Sequence, residues 1–233
     1  MKMYKELPAG IESNWASQEV SYPPGSKPVP FHYHEVEEWL QVLNGTMKFF
    51  PIREENPNVL KAGDLLNIQP GEAHRVEFGP EEVKYRMWLP EQVADNHFQH
   101  PLDDNEVALL RKNLDLAEVE NRWDRRPNGT AVGQNADGRF LDNLISPSLI
   151  FRGAARKFVG KKAYLGRPPG DFVRTPSNTI SILHKGDGYM LISTVVETRK
   201  SNTQELASYF NVRLFVREDG LWRCRIWLNF PEN

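Results

Sequence analysis

The sequence predicts two folding units in series: a mainly β unit over residues 1–100, an antiparallel sandwich or small barrel, and an α+β unit over residues 101–233. Three observations predict this. Between residues 31 and 89, short β-rich runs alternate with turn signals. After Pro101 a long run without Gly or Pro leads into short helical segments and then long strand runs. Charge divides near the same place: residues 1–110 hold 9 Lys and Arg against 18 Asp and Glu, a balance of −9, and the remainder hold 20 against 13, a balance of +7. Such an asymmetry suggests two units, packed or dimerised through complementary surfaces, although scatter over solvated faces accounts for it equally well.

Taken in order, residues 1–30 are rich in Pro and Gly ("SYPPGSKPVP") and are expected to be an extended arm or loops, because Pro removes ladder donors. "WLQVLNGTMKFF", "NVLKAGDLLNIQPG", "HRVEFG" and "VKYRMWLP" follow as strand runs, and Asn44-Gly45 between two apolar runs predicts a hairpin. "DDNEVALLRKNLDLAEVENRW" offers Asp103 or Asp104 as N-cap and apolar residues at 107, 109, 110, 114 and 116, which is a connecting helix. "RRPNGTAVGQNADG", residues 125–138, reads as a loop. "RFLDNLISPSLIF" then predicts a short helix ending before Pro147 and a strand, and "KKAYLG" a second short helix. From Thr179 three strand runs follow, with hairpins at Asp187-Gly188 and Asp219-Gly220.

Composition limits the functions available. The 233 residues are 39% hydrophobic, enough for a substantial core. No run approaches the ~18 apolar residues of a membrane span, and "MKMYKELPAGIESNWASQ" lacks the apolar centre of a signal peptide, so a cytoplasmic location is expected. A net charge of −2 and the lack of a helix-turn-helix signature argue against nucleic acid, and the charge against an anionic membrane, as partner. The single cysteine, Cys224, rules out an internal disulfide and any cysteine zinc cluster. It is expected to be a small buried hydrophobe, so a metal site would use His and carboxylate.

The chemistry-bearing stretch is "FHYHEVEEWLQVLNG", residues 31–45. Residues i and i+2 of a strand share a face, so His32 and His34 project together while Tyr33 points away. Glu38, past a short turn, can return a carboxylate to that side, and "GDLLNIQPGEAH" brings Gly71 and then His74. These residues resemble the two motifs of the cupin family. His32, His34, Glu38 and Gly45 match the first, and Gly63, Gly71 and His74 the second, with Gln69 where proline is usual and Phe78 where asparagine often stands. The resemblance covers roughly residues 15–95. It implies a jelly-roll β-barrel in which His32, His34, Glu38 and His74 bind one divalent ion, with Fe, Mn, Ni, Cu and Zn all suited to three imidazoles and a carboxylate. Glu35 and Glu37 are expected to be solvated, or else to be outer acceptors for an imidazole. On "VKYRMWLP", either Tyr85 and Met87 or Arg86 and Trp88 line the barrel; Arg86 there would favour a carboxylate-bearing substrate. His97 and His100 have no ligand spacing and are assigned to a loop.

"FLDNLISPSLIFRGAARKFVGKKAYLG", with the terminal Asp-Gly-x-Trp-x-x-x-x-Trp, resembles the nuclear transport factor 2-like (SnoaL-like) fold over roughly residues 105–230. That resemblance implies a cone of helices over a curved antiparallel sheet, and in catalytic relatives a pocket carboxylate or histidine. Candidates are Asp124, Asp142 and His184. Arg213, Arg223 and Arg225 are expected to face solvent or to clamp an anion, and Trp222 and Trp227 to be core.

Three functions are compatible with these residues. The leading one is a metal-dependent cupin enzyme, of oxygenase or lyase/isomerase type, acting on a small organic molecule, with the second domain supplying pocket, lid or dimer interface. The alternatives are isomerase, cyclase or hydrolase chemistry in the second domain, or a non-enzymatic small-molecule binding module. Both resemblances imply a homodimer.

Overall fold

The computed structural model describes residues 1–53, 55–90, 99–153, 157–170, 172–175, 179–200 and 206–232. The chain divides into two compact units, Met1–Ala108 and Leu109–Asn233.

The first unit holds β1 (Lys2–Tyr4), α1 (Ile11–Asn14), β2 (Trp15–Tyr22), β3 (Val29–Tyr33), β4 (Glu38–Asn44), β5 (Thr46–Pro51), β6 (Asn58–Lys61), β7 (Leu65–Ile68), β8 (His74–Phe78), β9 (Val83–Pro90) and β10 (His100–Pro101). They form two five-stranded sheets, ordered β1-β7-β4-β9-β2 and β10-β3-β8-β5-β6. This is a cupin-type jelly roll. The two sheets stay open and are not closed by hydrogen bonds into one cylinder. Their inner faces share a core that includes Leu40, Val42, Leu66, Ile68 and Met87 from one sheet and Met47, Phe49, Leu60 and Val76 from the other.

Two expectations need correction. Residues 1–30 are more than loops: β2 is an eight-residue strand paired along its length with β9. Tyr4, Leu7, Ile11 and Trp15 cover Trp39, Leu65 and Trp88, a small apolar cluster separate from the inner core. Asn44-Gly45 does not close a hairpin either. β4 pairs with β7 and β9, whereas β5 pairs with β6 and β8, so the turn carries the chain from one sheet to the other. Gly45 has φ 77°, and a Cβ there would lie 2.6 Å from the Glu82 carbonyl oxygen. Asn44 Nδ2 donates to that same carbonyl at 2.7 Å. The dipeptide therefore permits a tight corner.

α2 (Asp104–Asp124) opens with a reciprocal cap: Glu106 N–H donates to Asp103 Oδ1 at 2.8 Å and Asp103 N–H to Glu106 Oε2 at 2.8 Å. The second unit takes the rest of this helix, then α3 (Ala136–Leu144), β11 (Ile145–Arg152), β12 (Phe158–Val159), α4 (Lys161–Leu165), β13 (Phe172–Thr175), β14 (Ser181–Gly186), β15 (Tyr189–Lys200), β16 (Leu206–Glu218) and β17 (Leu221–Pro231). α3 starts inside the stretch expected to be a loop, because the Asn135 side chain caps it by accepting from Asp137 and Gly138 N–H. The sheet runs β12-β11-β17-β16-β15-β13, with β14 also on β15. It is antiparallel except for β11 on β17, which is parallel. No described helix is long and apolar enough to cross a membrane.

Candidate metal centre

β3 and β8 place two of the histidines side by side. His32 and His74 are cross-strand partners, and His34 follows the end of β3. The ring centroids lie 4.9 Å apart for His32 and His34, 4.3 Å for His32 and His74, and 5.4 Å for His34 and His74. One ligand atom from each of the three lies within 4.8 Å of the others, and all three side chains are buried. Glu38, the first residue of β4 in the facing sheet, is buried too, with Oε2 3.7 Å from His34 Nε2.

Backbone carbonyls set the imidazole tautomers. His32 Nδ1 lies 2.8 Å from Pro30 O and His74 Nδ1 2.9 Å from Glu72 O. With Nδ1–H donating to a carbonyl, each ring carries its lone pair on Nε2, the state a metal ligand requires. The turn before His74 is tied to the first motif, since Gly71 N–H donates to His34 O at 2.7 Å and Gly71 has φ 74°. Gln69, which replaces the usual proline, uses the N–H that proline lacks: it donates to Glu72 Oε2 at 3.2 Å. Glu72 N–H returns a bond to Gln69 O at 3.1 Å, closing the turn. Phe78 stacks on Tyr22 at 4.0 Å.

Burial disfavours the charged forms of Glu38 and His32 when no cation is near. Desolvation pushes the Glu38 carboxyl up to about 8 from its ordinary 4.5. It also lowers His32, against the opposing pull of its Pro30 hydrogen bond. Three imidazoles and a carboxyl that a cation would ionise fit a divalent ion.

A cavity of about 240 Å³ opens on this cluster, lined by Tyr85 and Met87 among others. That settles the polarity of β9. Arg86 faces outward, its guanidinium on Glu19, and Trp88 joins the outer cluster under the N-terminal segment. Burial raises the Tyr85 hydroxyl far above its ordinary value, with smaller contributions from Tyr22 and Glu38, so Tyr85 is a hydrogen-bond donor. Glu37 accepts from Trp39 Nε1 at 2.9 Å and from Asn67 Nδ2 at 2.7 Å. It braces β4 against β7; the outer acceptors for His32 and His74 are carbonyls instead. Glu35 is exposed, 3.6 Å from His100 Nε2, and His100 belongs to β10. His97 lies outside the described residues.

In the second unit the sequence candidates are dispersed. Asp142 is exposed and ion-paired with Lys161 at 2.8 Å. His184 is exposed, its Nδ1 3.1 Å from the Tyr189 hydroxyl. Asp124 is buried between Arg167 (2.9 Å) and Arg174 (2.7 Å). Arg213, expected at the surface, is 3% exposed. It lies over the Trp227 ring and donates to Asn113 Oδ1 at 3.2 Å. Arg223 is half-buried and Arg225 exposed; Trp227 is core, whereas Trp222 is half-buried. Sequence reasoning missed Glu120, whose Oε1 accepts from the Tyr164 hydroxyl at 2.7 Å and meets Arg167 at 3.4 Å. The signal available was Glu120 and Asp124 at i and i+4 on the apolar face of α2. Cys224 is buried, and burial pushes its thiol up to about 12.

Residues 18–89 match the Cupin domain family model, and a cupin domain is present there. No curated protein sequence matches the chain. Similar solved structures include a cupin-2 domain containing protein from Shewanella frigidimarina NCIMB 400, 21% identical over 34% of this chain and 72% of that one, TM-score 0.29. The polyketide cyclase RemF from Streptomyces resistomycificus is 19% identical over 47% of this chain and 77% of that one, TM-score 0.32. A cupin-like protein from Thermotoga maritima MSB8 is 20% identical over 45% of this chain and 80% of that one, TM-score 0.31. Similarity at this level carries no argument about the reaction.

Proposed function

We propose that the chain is a metal-dependent enzyme acting on a small organic molecule, with one divalent ion held by His32, His34, Glu38 and His74. The observation that carries this reading is the convergence of three buried imidazoles, beside a buried carboxyl, on one internal cavity. When bound, Fe, Mn, Ni, Cu or Zn supplies a Lewis acid and, as iron or copper, a centre that reacts with dioxygen, so an oxygenase and a lyase or isomerase are both open. The chain's own residues then have defined tasks. The Pro30 and Glu72 carbonyls orient two rings, the apolar walls exclude water, and Tyr85 donates its hydroxyl proton to a substrate oxygen in a hydrogen bond. Elemental analysis of protein purified without chelator tests the site. About one transition metal per chain is expected, lost from Glu38→Gln and His74→Ala. A metal content unchanged in both variants refutes the assignment.

We read the second unit as SnoaL-like, supported by its three helices and by the strand order β12-β11-β17-β16-β15 with β11 parallel to β17. The second reading, chemistry in this unit, rests on the cluster of buried Glu120, Asp124 and Tyr164 with the half-buried Arg167 and Arg174 rather than on Asp142 or His184. Turnover that survives loss of metal but not Glu120→Gln would favour it. A homodimer belongs to the proposal as well: Val195, Phe210 and Phe230 are cross-strand neighbours and are 38%, 37% and 39% exposed, an apolar row suited to a partner. Light scattering decides this, with a monomer at micromolar concentration counting against it.

A further inference from the structure

The walls of the cavity before the three histidines restrict what can enter it, an inference that rests on the metal-dependent reading above. The volume of about 240 Å³ equals about eight waters at ~30 Å³ each, which fits a ligand on the order of ten non-hydrogen atoms. Among the described residues, beyond the histidines and Glu38, the lining consists of apolar side chains from both sheets, such as Leu40 and Phe49, and four neutral polar ones, Gln18, Tyr22, Tyr85 and Gln99. All nine Lys and Arg of residues 1–108 are described, and none lines the cavity. Three of them, Arg75, Lys84 and Arg86, sit on the lining strands β8 and β9, but they pair with Glu77, Glu82 and Glu19 instead.

A divalent cation with Glu38 ionised leaves one positive charge at the histidine end, enough to compensate one anionic oxygen donor. A second charge on the ligand would be buried against Leu40, Phe49 and their neighbours with no partner, at a large desolvation cost. We infer that the cavity takes a neutral or singly anionic molecule of this size. Its oxygen donor is directed at His32, His34 and His74, its remainder is apolar, and Tyr85 is the positioning residue that donates to that oxygen. Molecules carrying a second charge remote from the donor, such as dicarboxylates, amino acids with a distal ammonium or phosphorylated sugars, are excluded.

The test uses the full chain loaded with Co²⁺, its metal content measured before any ligand is added. Hexanoate, adipate and 6-aminohexanoate, which share a chain length and differ in the distal group, are then titrated by calorimetry. Hexanoate is expected to bind about tenfold or more tightly than either of the others. Tyr85→Phe is expected to weaken hexanoate several-fold. It should leave Co²⁺ content, thermal stability and the affinity for imidazole, which has no oxygen to accept the bond, unchanged. Failure to take up Co²⁺ removes the metal-dependent reading and this inference with it. With Co²⁺ in place, adipate binding as tightly as hexanoate, or no hexanoate binding, overturns the ligand class while the metal reading stands. A Tyr85→Phe variant with undiminished hexanoate affinity overturns the role of Tyr85.

Discussion

Glu38 shows how burial of one residue couples the site to stability. In the metal-free protein the folded state keeps its carboxyl protonated up to about 8, whereas the exposed group ionises near 4.5. Between those values the folded state binds more protons than the unfolded chain, so stability falls as pH rises through the window. His32 acts with the opposite sign: burial lowers its pKa, so its contribution is lost as pH falls below its ordinary 6.5. Chemical denaturation of the metal-free protein and of Glu38→Gln at about pH 5 and about pH 8 separates the two effects. The wild type is expected to lose stability relative to the variant at the higher pH, and parallel pH dependences would show that Glu38 is not the source. Metal affinity should run the other way and rise with pH, because the ion needs the carboxylate. The positions of these groups were legible in the sequence because strand periodicity puts His32 and His34 on one side and a turn glycine precedes His74. The choice between Tyr85 and Arg86 was not, since alternation sorts residues into two faces without saying which face is inside.

The same limit appears at the scale of the element, where a turn signal names a bend but not the partners of the strands it joins. Asn44-Gly45 satisfies the local requirements of a hairpin, yet β4 is consumed on both edges by β7 and β9 and leaves no free edge for β5. Long-range pairing overrides the local expectation. The corner is tight, so Gly45→Ala is expected to cost on the order of 2 kcal/mol or more, from the left-handed φ and from the clash with the Glu82 carbonyl together. Gly25 separates those two terms, because it shares φ 77° but has no atom within 4 Å of an added Cβ. Gly25→Ala should therefore show only the conformational cost in the same denaturation experiment. Equal losses at the two positions would mean that the corner tolerates a side chain. Gln69 is the complementary case: a departure from the cupin motif that keeps the turn closed, because its N–H reaches Glu72.

At the scale of the whole molecule, the charge asymmetry between the halves is partly an interior property, and not solely a surface that seeks a complement. Some of the excess positive charge beyond residue 110 lies inside the second unit, where the half-buried Arg167 and Arg174 pair with the buried Glu120 and Asp124, and the buried Arg213 adds a third guanidinium within electrostatic reach of Glu120. Burial pushes Glu120 up, but Arg174, Arg167 and the Tyr164 hydroxyl outweigh it and hold the carboxyl below its ordinary range. Arg213 is held differently: it sits on Trp227 and on the Asn113 and Asn211 amides, with no carboxylate within ion-pair distance among the described residues and with burial lowering its pKa. The two carboxylates and two of the arginines would balance without it. Breaking a buried ion pair from one side leaves its partners uncompensated and costs about 3–5 kcal/mol, whereas replacing a buried charge by an apolar chain of similar length can be near neutral. Glu120→Gln is thus expected to destabilise the chain far more than Arg213→Met, as read from denaturation midpoints at constant slope. Because Glu120 is depressed, its stabilisation should also vanish as pH falls below its ordinary 4.5, opposite in sign to Glu38. If Arg213→Met proves as damaging as Glu120→Gln, the third guanidinium is an integral part of the ionic network, and the electrostatic balance drawn from Glu120, Asp124, Arg167 and Arg174 alone is wrong.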